Sequence, residues 1–286
     1  MKLETIFQNY LKQERNLIRS ETYFCYSSHL KQVLKACHSI NVYDTDEISD
    51  SFYYDLLDYF RSCNLCNRTI NKRILLLISC LKKYSFNFDF FNFKKLKECF
   101  ISFDVINDID FKKILNYLYH LSDDNPIQLT HKVAIFLLVT TGIRSNELLH
   151  IEIKNIDLIN RFILLTTTKT GDERVVFIDK YASILLDKYI RLVEGNKYLL
   201  WNFNRNCYYN YRCLQCFIMK IKKECNINKL HPHMFRHSFA TRLIDNHAEI
   251  TDVSALLGHR SVRTTQIYIH KNLNRLKQSY DEYFKI

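Results

Sequence analysis

Residues 256–268 read LLGHRSVRTTQIY, and this stretch has the most specific spacing in the chain. Leu257 and Gly258 lead directly into His259, and Tyr268 stands nine positions after that histidine. A tyrosine hydroxyl can serve as a covalent nucleophile when neighbouring groups hold its target and move its proton. Tyr268 is one of 19 tyrosines, so its meaning must come from the residues upstream.

Moving outward, residues 233–241 read HMFRHSFAT. On a helix His233, Arg236 and His237 fall at i, i+3 and i+4, which sets an imidazole beside a guanidinium on one face. Residues 168–174, TKTGDER, lie between two runs rich in β-branched and apolar residues, 162–167 and 174–178. Thr170-Gly171-Asp172 is a turn signal, so the two runs are expected to form a hairpin carrying Lys169. A lysine at a hairpin tip can reach a neighbouring groove and deliver a proton. Farther upstream, residues 141–149 read TGIRSNELL. Gly142 allows a sharp turn at the end of an apolar helix, and Arg144 follows it. Two arginines converging on one phosphate can hold its non-bridging oxygens by forked hydrogen bonds. Phosphoryl transfer depends mostly on such positioning and charge stabilisation.

Together and in this order, the four segments resemble the catalytic domain of the tyrosine recombinases, also called the phage-integrase family. Gly142, Arg144, Glu147 and Leu148 match its Gly-x-Arg-x-x-Glu-Leu box, and Lys169 matches its hairpin lysine. His233, Arg236 and His237 match His-x-x-Arg-His. Leu257, Gly258, His259 and Tyr268 match the last motif and its nucleophile. The resemblance covers about residues 108–286. The N-terminal part resembles the family's core-binding domain more loosely, through Thr22, Tyr23 and Tyr26 and through residues 69–73, TINKR. Phe235 stands where the family usually has Leu, and residues 247–249 replace a frequent Gly.

The resemblance implies roles. Tyr268 attacks the scissile phosphate, forms a 3′-phosphotyrosine and releases a 5′-hydroxyl. Arg144 and Arg236 clamp the pentavalent phosphate, and Lys169 protonates the leaving oxygen. His233 exchanges a proton with the tyrosine or orients it, and His259 hydrogen-bonds a phosphate oxygen. Glu147 pairs with basic groups and holds the Arg144 loop, while His237 packs beneath the site. No cofactor is implied, neither metal nor nucleotide. The implied partners are double-stranded DNA recombination sites, a tetramer of the chain on DNA, and accessory DNA-binding proteins. The outcome is integration, excision or inversion. Other readings stay open: a type IB topoisomerase-like enzyme, a DNA-binding regulator without catalysis, and a zinc-stabilised binding module.

Composition agrees with a polyanionic partner but does not require one. The 286 residues include 41 Lys plus Arg against 30 Asp plus Glu, a net charge of +11. Such an excess favours nucleic acid, although a solvated basic surface accounts for it equally. No signal peptide is evident, and the most apolar stretch, residues 133–139, is too short to span a bilayer. A cytoplasmic, nucleoid-associated protein is therefore expected. Ten cysteines include the pairs Cys63/Cys66 and Cys213/Cys216, which lie far apart with no adjacent His pair. Reduced thiols packing as small apolar groups are expected. His231, His233 and His237 resemble a ligand cluster, but Arg236 among them opposes a cation.

The fold expected is mainly α with a small antiparallel β-sheet. Residues 1–86 read as a helical core-binding domain with helices near 3–17, 20–39, 51–63 and 67–84. The last carries Arg68, Lys72, Arg73, Lys82 and Lys83 on its outer side, suited to DNA phosphates or simply to solvent. Residues 87–107 break the helical pattern and read as a linker. Residues 108–286 read as a mixed α/β catalytic domain with helices at 111–121 and 129–141, the hairpin, and a mostly helical pattern from 181 onward. The first helix begins almost at residue 1, so a separate arm-binding domain is not expected. Residues 273–286 read as an amphipathic helix bearing Leu276, Tyr280 and Phe284, which docks on a neighbouring subunit or on its own domain.

Overall fold

The computed structural model describes residues 1–98, 104–166, 173–259, 261 and 265. The chain divides into two compact units, Met1–Ile101 and Ser102–Ile286. The described residues are mainly helical, with two small antiparallel sheets.

The first unit is built from α1 (Leu3–Glu14), α2 (Ser20–Ser39), α3 (Phe52–Ser62) and α4 (Asn67–Lys83). In α4, Ile70, Ile74, Leu77 and Leu81 recur at threes and fours and are all buried against the other helices. That apolar stripe makes α4 the unit's central helix. Arg68, Lys72, Lys82 and Lys83 face solvent as expected. Arg73 differs: it is half-buried and lays its guanidinium 5.3 Å from the centre of the Phe60 ring.

Residues 86–96 also belong to this core. Phe91, on a short 3₁₀ turn, Asp89–Asn92, is buried, and Phe86, Phe88, Phe90, Phe93 and Leu96 pack partly buried against the same core. This stretch lacks a 3.6-residue period because its aromatics stack on one another rather than line a helix face. Its end is clasped by Asn71, which is 2% exposed. The Asn71 amide donates to the Leu96 carbonyl at 2.9 Å, and its oxygen accepts the Leu96 N–H at 3.0 Å.

In the second unit α5 (Asp108–Tyr119) is capped by Asn107, whose side chain accepts the Asp110 N–H. Asn125 caps α6 (Pro126–Thr141) with Pro126 in its first turn, a pairing that favours helix initiation. Leu129, Val133, Ala134, Ile135, Phe136, Leu137 and Leu138 of α6 are all buried. Helices α7 (Ser145–Leu149), α8 (Lys180–Leu192), α9 (Tyr211–Glu224), α10 (Pro232–Asp245) and α11 (Ile250–Leu257) also lie in this unit, with α8 and α10 packed directly on α6.

The expected hairpin is present as β2 (Phe162–Leu165) and β3 (Arg174–Phe177), with Leu165 opposite Arg174, and β1 (Ile156–Asp157) adds a third strand beside β2. Residues 193–209 depart from the helical expectation. They contain a second hairpin, β4 (Trp201–Asn202) and β5 (Cys207–Tyr208). Gly195 at φ +85° follows α8, and Asn206 at φ +49° turns the hairpin, both in the left-handed region. Trp201 and Tyr208 then meet edge to face across the strands at 5.2 Å. The helix expected at 273–286 lies outside the described residues.

Removing the Asn71 clasp with Asn71→Ala is expected to destabilise the first unit by about 1–2 kcal/mol, because both Leu96 backbone groups lose their partner. Chemical denaturation followed by a probe in the first unit measures this, and an unchanged midpoint counts against the clasp.

Candidate active site

Arg144 and His259 stand where a helix begins or ends. Helix α6 stops at Gly142, which adopts φ +60°. A Cβ there would lie 2.4 Å from the Phe239 ring on α10, so the position needs glycine for both backbone shape and space. Two residues later Arg144 forms the N-cap of α7. Glu147, at the third position of that helix, turns back to it. Its carboxylate accepts the Arg144 backbone N–H at 3.0 Å and the Arg144 guanidinium at 2.7 Å. A second arginine, Arg174 at the start of β3, donates to the same carboxylate at 2.7 Å.

Burial alone would raise the Glu147 pKa, but the Arg174 charge, the Arg144 N–H and the Arg144 guanidinium reverse this and hold it below the usual carboxylate value. Glu147 is therefore a buried carboxylate shared by two cations. The loop-holding pairing expected of it is present, and it also makes Arg144 part of an ion pair.

Arg236 lies on the inner side of α10 and is 5% exposed. It donates to the Gly142 carbonyl at 2.9 Å and to the Leu257 carbonyl at 2.6 Å. His233, one turn earlier, is exposed, and its ring centre lies 6.5 Å from that of half-buried His237.

The end of α11 joins these pieces. Three consecutive carbonyls there accept from three different arginines: Leu256 from Arg174, Leu257 from Arg236, and Gly258 from Arg144. Carbonyls at a helix C-terminus lack intrahelical partners and carry partial negative charge, so cations favour them. Gly258 takes φ +63°, and a Cβ on it would lie 2.5 Å from Cδ of Arg174.

His259 comes next and is half-buried. Its Nδ1 shares a 2.8 Å hydrogen bond with Oγ1 of Thr265, which leaves Nε2 as the ring nitrogen not engaged by Thr265. Burial, reinforced by the charges of Arg236, Arg144, Arg174 and His237, pushes the His259 pKa down from 6.5 to about 4.

The structure thus brings Arg144, Arg236 and His259 together around one helix end, with His233 on the adjoining helix. Lys169 and Tyr268 lie outside the described residues. Arg174 and Thr265 are participants that the sequence reading did not single out. Arg174 shows only as one more basic residue at a hairpin base, and nothing marks Thr265 until its hydroxyl is seen against His259. Among the described residues no three His, Cys, Asp or Glu side chains are grouped as metal ligands. The described cysteines are free thiols. Chemically the cluster gathers the guanidinium groups of Arg144, Arg174 and Arg236 near the Glu147 carboxylate, a concentration of positive charge suited to an anionic reacting group.

Comparison with known proteins accords with this geometry. Residues 109–275 match the family model described as the phage integrase family. The chain is 25% identical over 284 residues to a probable integrase/recombinase of Acholeplasma phage L2, covering 99% of this chain and 98% of that one. It is 30% identical over 257 residues to tyrosine recombinase XerD of Rickettsia conorii, covering 79% of this chain and 80% of the relative. The Tn1549 transposon integrase, solved in complex with a circular intermediate DNA, shares the fold with a TM-score of 0.77 at 16% identity, over 99% of this chain and 100% of that one. These matches define a DNA breaking-and-rejoining enzyme. The chain belongs to the phage integrase family, the tyrosine recombinases.

The low His259 pKa has a consequence for stability. The unfolded chain takes up a proton near pH 6.5 that the folded site resists until about pH 4. Stability is therefore full above pH 6.5 and falls as pH drops through that window. His131, also pushed down to about 4 by burial and by Lys220, acts in the same sense. Acidification from about pH 7 to 5 is expected to lower the thermal midpoint less in His259→Gln than in wild type. Nitrogen-detected NMR should find the His259 ring neutral at about pH 5.5, and a protonated ring there would contradict this account of the site.

Proposed function

We propose that this chain is a site-specific DNA recombinase that cuts and rejoins strands through a 3′-phosphotyrosine on Tyr268. The observation that carries the reading is the convergence of Arg144, Arg236 and His259 on the end of α11, nine residues before Tyr268. Two arginine forks held by buried contacts are preorganised for the non-bridging oxygens of a phosphate. His259 adds a hydrogen bond from Nε2.

In this reading the Tyr268 hydroxyl attacks phosphorus, and its proton passes toward His233. The bond from phosphorus to the 5′-oxygen breaks, and Lys169 gives that oxygen a proton. The products are a 3′-phosphotyrosine and a 5′-hydroxyl. Rejoining runs the same steps backward with a 5′-hydroxyl from another strand. The covalent link conserves the phosphodiester energy, so rejoining needs no ATP. Residues 1–86, together with the core-packed stretch up to residue 96, serve as the core-binding domain, the residues from there to 107 as the linker and 108–286 as the catalytic domain. The net charge of +11 supports a double-stranded DNA partner. Exchange between two duplexes calls for several copies, a tetramer on DNA, with integration, excision or inversion as the result and accessory DNA-binding proteins as further partners. The working location is the cytoplasmic nucleoid.

A nicked duplex carrying a site selected from a randomised pool by the purified chain tests the reading. Wild type is expected to form a protein–DNA adduct that survives denaturation, and Tyr268→Phe to form none. Arg236→Gln is expected to slow adduct formation by about 10²–10³-fold, the usual effect of losing one charge-stabilising donor. An adduct with Tyr268→Phe would assign the nucleophile elsewhere.

A further inference from the structure

We infer that Arg174 is a positioning residue for DNA cleavage, one that joins β3 and Glu147 to the end of α11 and so sets where Arg144 and His259 stand. The inference rests on the recombinase reading above and adds a residue to it.

Three features separate Arg174 from an ordinary surface ion pair. Its side chain is 9% exposed, so its charge has been taken out of water, which is costly unless the geometry is used. One planar fork serves two elements at once: Nη2 binds the Glu147 carboxylate at 2.7 Å, and Nη1 binds the Leu256 carbonyl. The backbone also makes room for it, since a Cβ on Gly258 would sit 2.5 Å from Cδ and 2.8 Å from Nε. The chain therefore passes over the Arg174 stem just before His259.

The link to chemistry runs through Glu147. One of its oxygens faces the Arg144 guanidinium, and the other is shared by the Arg144 N–H and Arg174. With Arg174 gone, the whole carboxylate charge falls on Arg144 and weakens it as a phosphate ligand. The cluster would also lose one of its three guanidinium charges. A phosphodiester carries one negative charge and the pentavalent transition state carries two. The missing cation is thus felt more in the transition state than in the bound ground state. His259 senses the same charge. It faces Arg236 and His237 on α10, Arg144 ahead of α7 and Arg174 on β3, with Glu147 opposing them. Lysine at 174 would keep the charge but cannot reproduce a planar fork reaching two acceptors.

The test compares wild type, Arg174→Lys and Arg174→Gln on the nicked duplex, with cleavage rate under single turnover and DNA affinity measured separately. Arg174→Gln is expected to cleave about 100-fold slower with affinity within about threefold of wild type, and Arg174→Lys to recover about tenfold of that loss. By NMR the His259 titration should move up in Arg174→Gln and stay in place in Arg174→Lys. Cleavage by both folded variants within about threefold of wild type overturns the inference. So does a loss of the folded thermal transition or of DNA affinity in both variants, because Arg174 would then be merely structural. An absence of adduct from wild type itself would sink the recombinase reading and this inference with it, an outcome visible without either variant.

Discussion

The second unit depends on how the C-terminal end of α11 is satisfied. A helix ends with carbonyls that have lost their intrahelical donors, and most such ends meet water or a local turn. Here Leu256, Leu257 and Gly258 each present a carbonyl to a different arginine, from β3, from α10 and from the start of α7. Those three elements are far apart in sequence and meet on one turn of backbone. Guanidinium groups suit this work because they stay charged and offer several donors in a fixed plane. The site is therefore held by the same charged groups that make it a site. Glu147 is a carboxylate that helps keep so much like charge tolerable, and its 2% side-chain exposure leaves it no competing water.

Much of this could be read from the amino-acid order alone. The helical periods of α4 and α6, the hairpin around residue 170 and the grouping of Arg236 with His233 follow from local patterns. Arg174 could not be read so easily. Its partner Glu147 is 27 positions away, and their meeting depends on β3 register and on the path of the Gly142 turn. Thr265 is hidden for a similar reason, since only folding reveals its contact with His259. Residues 86–96 show the other kind of difficulty. Phe91 buries itself there and five partly buried apolar side chains pack beside it without a helical period, several stacking ring on ring, so a 3.6-residue count finds nothing. The β4–β5 hairpin rests on two left-handed residues and one aromatic pair, too small a signal to stand out between helices.

Two of the four glycines end helices at this site, and both are needed for more than backbone freedom. At 142 the obstacle is an aromatic ring on α10, and at 258 it is the stem of Arg174. Close approach is what lets α6, α10, β3 and α11 crowd their ends together. The arrangement is stiff because the arginines it gathers are already ordered by their contacts with protein.

Positions 174 and 258 also occupy one shared volume, which constrains the route by which this family member can diverge. A side chain at 258 meets both the left-handed backbone and the arginine stem, so that change is blocked while Arg174 remains. Shortening residue 174 first removes one of the two obstacles and leaves only the backbone cost. The two sites are thus linked by history as well as by contact: a lineage can lose the arginine and later drift at the glycine, but the reverse order passes through a clash.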